Sequence, residues 1–336
     1  MNEMSTDGLT IGTYFAPAPY IRQLANESAW GAHNIVVAMP APLLERTFAY
    51  VPTASTTPKA LITFAAQLTA RLNRTHRAQI GSSLSLQPSQ DDPPSLGARP
   101  LVLNNAASDP MIFLEKLGRE SGIPRLRIRS DQAWVGGHSP LQSSLALPDP
   151  SYIPAQLADF MAVLYAQQAN GSAEVAEALS YQLLTIHPLA NGNGRITRTL
   201  LVQLAMRTGL PYPLYFAWRL MFDRMRTIEN WSALAATGIP RPDDAHYLKW
   251  MQASEILLKT CENALQNGLD ERVLNALLLY GTATEKTIHH ANPRLAKNLA
   301  GKIAANLSSE NNCAIATIAT KGVNEAIDKL KHAVIS

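Results

Sequence analysis

Residues 181–198 constrain this chain more than any other stretch; they read Tyr-Gln-Leu-Leu-Thr-Ile-His-Pro-Leu-Ala-Asn-Gly-Asn-Gly-Arg-Ile-Thr-Arg. An apolar helical run with Leu183, Leu184 and Ile186 near its end delivers His187 to a helix terminus. Pro188 stops the helix there, because its ring disfavours helical geometry at the preceding residue and it has no N–H to donate. Gly192 and Gly194 alternate with Asn191 and Asn193, residue types that tolerate positive φ, so the chain can turn tightly. A second helix is expected from about Arg195. Ile196, Leu200, Leu201 and Leu204 follow helical spacing, and Gly209 with Pro211 ends it.

A glycine-rich turn that opens into a helix presents unpaired backbone N–H groups at the positive end of the helix dipole, which makes a cradle for an anion. Arg195 and Arg198, at i and i+3, lie on neighbouring parts of one helical face and can converge on the same polyanion. Across the turn, His187 is the one side chain suited to general-base work near neutral pH. A base, an anion hole and two guanidinium groups point to phosphoryl or nucleotidyl transfer to a hydroxyl. Spacing alone also fits two core helices joined by a Gly-Asn-Gly turn, which is ordinary structure.

The run from His187 to Arg198 resembles the signature of the Fic (filamentation induced by cAMP) family, His-Pro-Phe-x-(Asp/Glu)-Gly-Asn-Gly-Arg-x-x-Arg. Leu189 stands where the family has a packing Phe, a conservative apolar exchange. Asn191 stands where the family has an acid that helps hold Mg²⁺ on the nucleotide phosphates. An amide oxygen can ligate Mg²⁺, but without the carboxylate's charge it does so more weakly.

The resemblance implies a mainly α fold, a Fic-like helical core with a β-hairpin flap. It implies transfer of AMP from Mg·ATP to a Ser, Thr or Tyr hydroxyl of a protein, with Mg²⁺ (or Mn²⁺) as cofactor. On that basis His187 deprotonates the hydroxyl. The amides of Gly192 to Gly194, with Asn193 and Arg195, hold the α- and β-phosphates, Arg198 meets the γ-phosphate, and Asn191 is a weak metal ligand. Asn230 and Trp231 occupy the place of a family Tyr-Tyr pair; Trp231 either stacks on a base or is an ordinary core tryptophan. Two alternatives stand beside this function. One is a weakened module that binds nucleotide or protein without turnover, and the other is a transferase using UTP, CDP-choline or another diphosphate-containing donor.

Between residues 124 and 138, Leu126 and Ile128 alternate with Arg125, Arg127 and Arg129, a period-two strand signal, and Trp134 with Val135 suggests a second short strand. By spacing this is a hairpin that covers core. By resemblance it precedes the family's flap, which docks a target protein by strand pairing and falls here at about 136–148, starting with Gly136, Gly137 and His138. The basic residues of this strand are expected to be solvated. The family's inhibitory (Ser/Thr)-x-x-x-Glu-(Gly/Asn) motif is not found, so an autoinhibitory Glu facing Arg198 is either absent or supplied by another, regulatory chain.

The remaining chain supplies context. With 46% apolar and 16% charged residues it can bury a large core. A formal charge of +3, dispersed along the chain, argues against nucleic acid and membrane as partners. Cys261 and Cys313 have no metal-like spacing and suit a reducing compartment. No basic, apolar leader opens the sequence and no run of apolar residues is long enough to span a bilayer, so a cytoplasmic protein is expected, with secretion as an effector left open. Three parts are expected: an N-terminal helical arm (1–100), irregular to about 55, with a helix over 57–78 and a mobile linker at 82–100; the Fic-like core (101–262); and a C-terminal helical appendage (263–336) with helices at Glu271–Leu279 and Val323–Ala333. His289 and His290, adjacent on a helix, point about 100° apart and make no joint ligand face.

Overall fold

The computed structural model describes residues 13–14, 37–38, 57–74, 109–135, 145–166, 173–208, 245–292 and 294–335. The expected linker at 82–100, the flap residues Gly136, Gly137 and His138, and the Asn230–Trp231 pair lie outside the described residues. Those described are mainly helical. In chain order the helices are α1 (Lys59–Arg74), α2 (Pro110–Glu120), α3 (Ile153–Ala166), α4 (Ala173–Ile186), α5 (Asn193–Thr208), α6 (Ala245–Gln266), α7 (Glu271–Tyr280), α8 (Glu285–Ala291), α9 (Lys297–Asn306) and α10 (Glu310–Ile335).

Strand is confined, among the described residues, to two-residue segments: β1 (Thr13–Tyr14), β2 (Val37–Ala38), β3 (Trp134–Val135) and β4 (Leu145–Ala146), in the sheet order β1-β2-β4-β3. β3 and β4 run antiparallel with Trp134 opposite Ala146 and Val135 opposite Leu145. The strand expected over 124–129 is reduced to a single bridge, Ile128 to Leu189. The alternation there comes instead from Leu126 and Ile128 packing against the core.

α5 is the central helix and packs against α1, α2 and α4. Every residue from Ile196 to Ala205 is buried, polar ones included, so this helix is enclosed all round rather than on one stripe. Its hydroxyls are satisfied locally: Thr197 Oγ1 donates to Asn193 O at 2.9 Å and Thr199 Oγ1 to Arg195 O at 3.0 Å. Ser121 Oγ donates to Thr199 Oγ1 at 2.9 Å, which fastens the end of α2 to α5. Nearby, the fully buried rings of Phe113 and Phe160 sit 6.2 Å apart, tilted by 46°, an arrangement that aromatic quadrupoles favour.

α2 shows how sequence sets both ends of an element. Asp109 caps its start by accepting from Met111 N at 2.7 Å, with Pro110 in the first turn, where a missing N–H costs nothing. At the other end Gly122 takes φ 70°, Gly122 N donates to Arg119 O and Ile123 N donates to Gly118 O. This is a Schellman cap, and it aims Ile123 at the central turn.

The core is continuous from α1 to α10, and α7, from the expected appendage, packs on α1, from the expected arm. The boundary expected at 262/263 falls inside α6, whose helix continues to Gln266 before Gly268 at φ 89° turns the chain. Cys261, in that helix, is buried, and burial pushes its thiol pKa up; Cys313 is exposed, and both are free. Among the described residues no helix is long and apolar enough to cross a membrane.

Hydrogen bonds join α1 to the C-terminal helices, Gln67 Nε2 donating to Ala291 O at 3.0 Å among them. Glu271 Oε1, at the start of α7, accepts from Ala60 N at 3.0 Å, satisfying an amide that the first turn of α1 leaves open. Glu271→Ala is expected to cost about 1 kcal/mol, read as a lower urea midpoint with unchanged slope. An unchanged midpoint would show that water replaces the carboxylate without loss.

Candidate active site

His187 follows α4 with φ 50°, the left-handed region, which costs a non-glycine residue on the order of 1–3 kcal/mol. Several contacts hold it there. His187 N donates to Leu183 O at 3.1 Å, and Arg129 Nε donates to His187 O at 2.7 Å. The next residues pair with an extended segment: Arg129 N donates to Pro188 O at 3.0 Å and Ala190 N to Arg127 O at 2.9 Å. His187 Nδ1 lies 3.1 Å from Leu184 O. A carbonyl only accepts, so Nδ1 carries the proton and Nε2 keeps the lone pair. Nε2 is thereby the nitrogen of His187 able to accept a proton.

The imidazole is half-buried, and its pKa is lowered to about 4. Burial is the main cause; the Leu184 hydrogen bond opposes it and the Arg129 charge adds to it. His187 lines a cleft of about 380 Å³ together with Arg127, Arg129, Ser130, Asp131, Gln132, Ala133, Trp134, Leu189 and Ala190. The cleft thus joins the base to the β3 strand. A larger cavity of about 500 Å³ lies between α7, α9 and α10, lined among others by Asp270, Arg272 and Lys302. None of the motif residues reaches it, and its Asp270 and Arg272 are spent on each other at 2.5 Å.

The anion turn follows. Gly192 has φ 100°, and a Cβ there would lie 2.6 Å from Ile123 Cδ1 and 3.2 Å from Arg195 Nη2. Only glycine fits both the backbone and the space. A Cβ at Gly194 would lie 3.2 Å from Arg198 Nη1. The two guanidinium groups therefore fold back over the two glycines, Arg195 half-buried and Arg198 buried. Gly192 O accepts from Arg195 N and Ile196 N, and Asn193 and Gly194 supply the amides of the first turn, which a helix leaves without carbonyl partners.

Asn193 was expected to hold phosphate, and its side chain has another role. It is 2% exposed, its Oδ1 accepts from Leu189 N at 2.9 Å, and its Nδ2 donates to Leu189 O at 2.7 Å. The amide braces the loop across its mouth, so contact with an anion is left to the Asn193 backbone N–H. Asn191 is exposed on the turn. Among the described residues no three His, Cys, Asp or Glu side chains cluster around a metal-sized space. Asn191 offers one neutral oxygen, too little to hold Mg²⁺ alone but compatible with an ion that phosphates carry in.

Arg129 corrects the expectation that the basic strand is solvated: Arg125 and Arg127 are exposed, whereas Arg129 is 6% exposed. Besides His187 O, its guanidinium donates to Ile186 O at 3.2 Å, to Asp131 O at 3.1 Å and to Pro148 O. Burial lowers its pKa to about 10, partly opposed by the Asp149 charge. Gln132, also buried, donates to Ala133 O and Leu147 O, and Leu147 N donates to Ala133 O. No spacing in the sequence separates Arg129 from its solvated neighbours.

Residues 118–205 match the Fic/DOC family model, so the chain carries a Fic/DOC domain built of the end of α2, the β3–β4 pair, α3, α4 and α5. Curated relatives agree. Protein adenylyltransferase fic-1 of Caenorhabditis briggsae is 34% identical over 97 residues, and protein adenylyltransferase Fic of Drosophila mojavensis is 35% identical over the same length. Each match takes in 28% of this chain and 18% of the relative. The chain thus spans about a fifth of the length of these relatives.

The depressed pKa of His187 makes a direct prediction. Its imidazole stays neutral from pH 7 down to about pH 5 in the nucleotide-free protein and gains a proton near pH 4. NMR titration of ¹⁵N-histidine, with the His187 signal assigned by His187→Gln, reads this. A midpoint at the ordinary value, near 6.5, would show that water reaches the ring freely.

Proposed function

We propose that this chain transfers AMP from ATP to a hydroxyl side chain of a target protein. One observation carries the proposal: His187 keeps Nε2 as its basic nitrogen on one side of the 187–198 turn, while Arg195 and Arg198 lie over Gly192 and Gly194 on the other. The adenylyltransferase names of the relatives support the donor.

In the reaction, the target hydroxyl enters the cleft beside His187. Nε2 takes its proton as the oxygen attacks the α-phosphorus. The bond from that phosphorus to the bridging oxygen breaks, and pyrophosphate leaves with the electron pair. Negative charge grows on the phosphoryl oxygens, where the Asn193 and Gly194 amides and Arg195 meet it; Arg198 meets the γ-phosphate. One preorganised donor of this kind contributes about 3 kcal/mol to the transition state. Mg²⁺ or Mn²⁺ brought in by the phosphates would neutralise part of their charge, with Asn191 adding one neutral oxygen ligand. The target approaches along the β3–β4 side, where the expected flap offers backbone groups for strand pairing.

A second reading is a module that binds without turnover, and the neutral, exposed Asn191 is the observation that favours it. The experiment that separates the two is intact-mass analysis of candidate targets after incubation with ATP and Mg²⁺ or Mn²⁺. The parent is expected to add AMP slowly, and His187→Ala to lower the rate by about 10²-fold or more with nucleotide binding retained. Asn191→Asp is expected to raise the rate and to lower the metal concentration needed for half of it. Background transfer by parent and Asn191→Asp alike would end the AMP-transfer reading. Addition of UMP from UTP, or of phosphocholine or CMP from CDP-choline, would replace the donor and leave the rest standing.

A further inference from the structure

Arg129 lies far outside the motif, yet its guanidinium meets the motif at the place where the backbone needs it most. A helix leaves its last carbonyls without partners, and Pro188 has no N–H to offer. Arg129 supplies the missing donors for Ile186 O and His187 O from one planar group, and donates at the same time to Asp131 O and Pro148 O. No carboxylate is among these acceptors. The positive charge sits instead at the negative end of the α4 dipole, supported by the charge of Asp149.

From this geometry we infer that Arg129 is a positioning residue. It fixes the backbone of His187 so that Nδ1 reaches Leu184 O and Nε2 is left for the target hydroxyl. Through Pro148 O, two residues beyond β4, it also ties the base to the strand pair on the target side. The base and the segment that flanks the incoming chain are thereby held by one group. An ammonium cannot replace it, because the four acceptors diverge around a plane and lysine presents one compact point of charge. The inference rests on His187 as the base of the proposed AMP transfer.

The test compares the full-length parent with Arg129→Lys, Arg129→Ala and, as a control at an exposed neighbour, Arg125→Ala. Three readouts are taken: kcat for AMP addition, affinity for a non-hydrolysable ATP analogue, and the ¹⁵N signature of the His187 tautomer. In both Arg129 variants kcat is expected to fall at least tenfold while analogue affinity changes less than threefold, and His187 is expected to lose its single Nδ1–H tautomer. Millimolar methylguanidine, well below denaturing levels, should restore part of the rate to Arg129→Ala but none to Arg129→Lys. If Arg129→Ala does not fold, Arg129→Lys decides through the same readouts. Parent-like kcat and tautomer in Arg129→Lys would overturn the inference, as would equal losses of kcat and analogue affinity, which mean general loosening. Should the parent transfer nothing from ATP, the functional reading fails by itself, and the tautomer comparison still decides the role of Arg129.

Discussion

A helix that ends on a non-glycine residue in the left-handed region, followed by proline, exposes carbonyl groups that its own continuation cannot satisfy. Everything around the turn from His187 to Arg198 answers that shortage. The extended segment at 127–129 donates to Pro188 and accepts from Ala190, the Asn193 amide closes the loop on Leu189, and the Arg129 guanidinium takes Ile186 and His187. Each bond alone is worth about 1 kcal/mol, but an unsatisfied buried group costs 1–3. The set therefore works as a condition for the turn to exist rather than as added stability. Strain at His187 persists because its surroundings leave it no other conformation.

Packing enforces the same turn from outside. The Schellman cap of α2 places Ile123 against Gly192, and Ser121 joins the cap to α5 through Thr199. Because α5 is buried all round from Ile196 to Ala205, small movements of the turn would have to displace α1, α2 or α4 as well. Interiors packed to crystalline density resist this. The proposed anion cradle thus stands on a helix packed against three others, which is the support that preorganised electrostatics requires.

The residues proposed to act on a ligand stand out in the sequence because their chemistry forces local patterns. Glycine alternating with asparagine, histidine before proline, and two arginines three apart can be read without coordinates, and the helices around them follow apolar spacing. α1 and α7 likewise lie close to their expected spans. What was not legible depends on long-range partners. Arg129 looks like Arg125 and Arg127 until the carbonyls 57 and 58 positions away close on it. Asn193 looks like a phosphate ligand until Leu189 folds back to claim both ends of its amide. The boundary expected at 262/263 came from fading resemblance, whereas the helix itself runs until Gly268 permits a turn.

On the proposed reaction, the two sides of the turn make opposite electrostatic demands. A base that must accept a proton works best with a pKa near the working pH, yet burial and the Arg129 charge hold His187 far below it in the ligand-free protein. The cradle a few residues away is built from cations and helix-dipole amides, so it fills with negative charge when a polyphosphate binds. Negative charge beside an imidazole favours its protonated form and raises its pKa. On the proposed reaction, a polyphosphate in the cradle would raise the basicity of His187. On the proposed reaction, the 12 residues from His187 to Arg198 that would hold the donor would also govern when a hydroxyl in the cleft can be deprotonated.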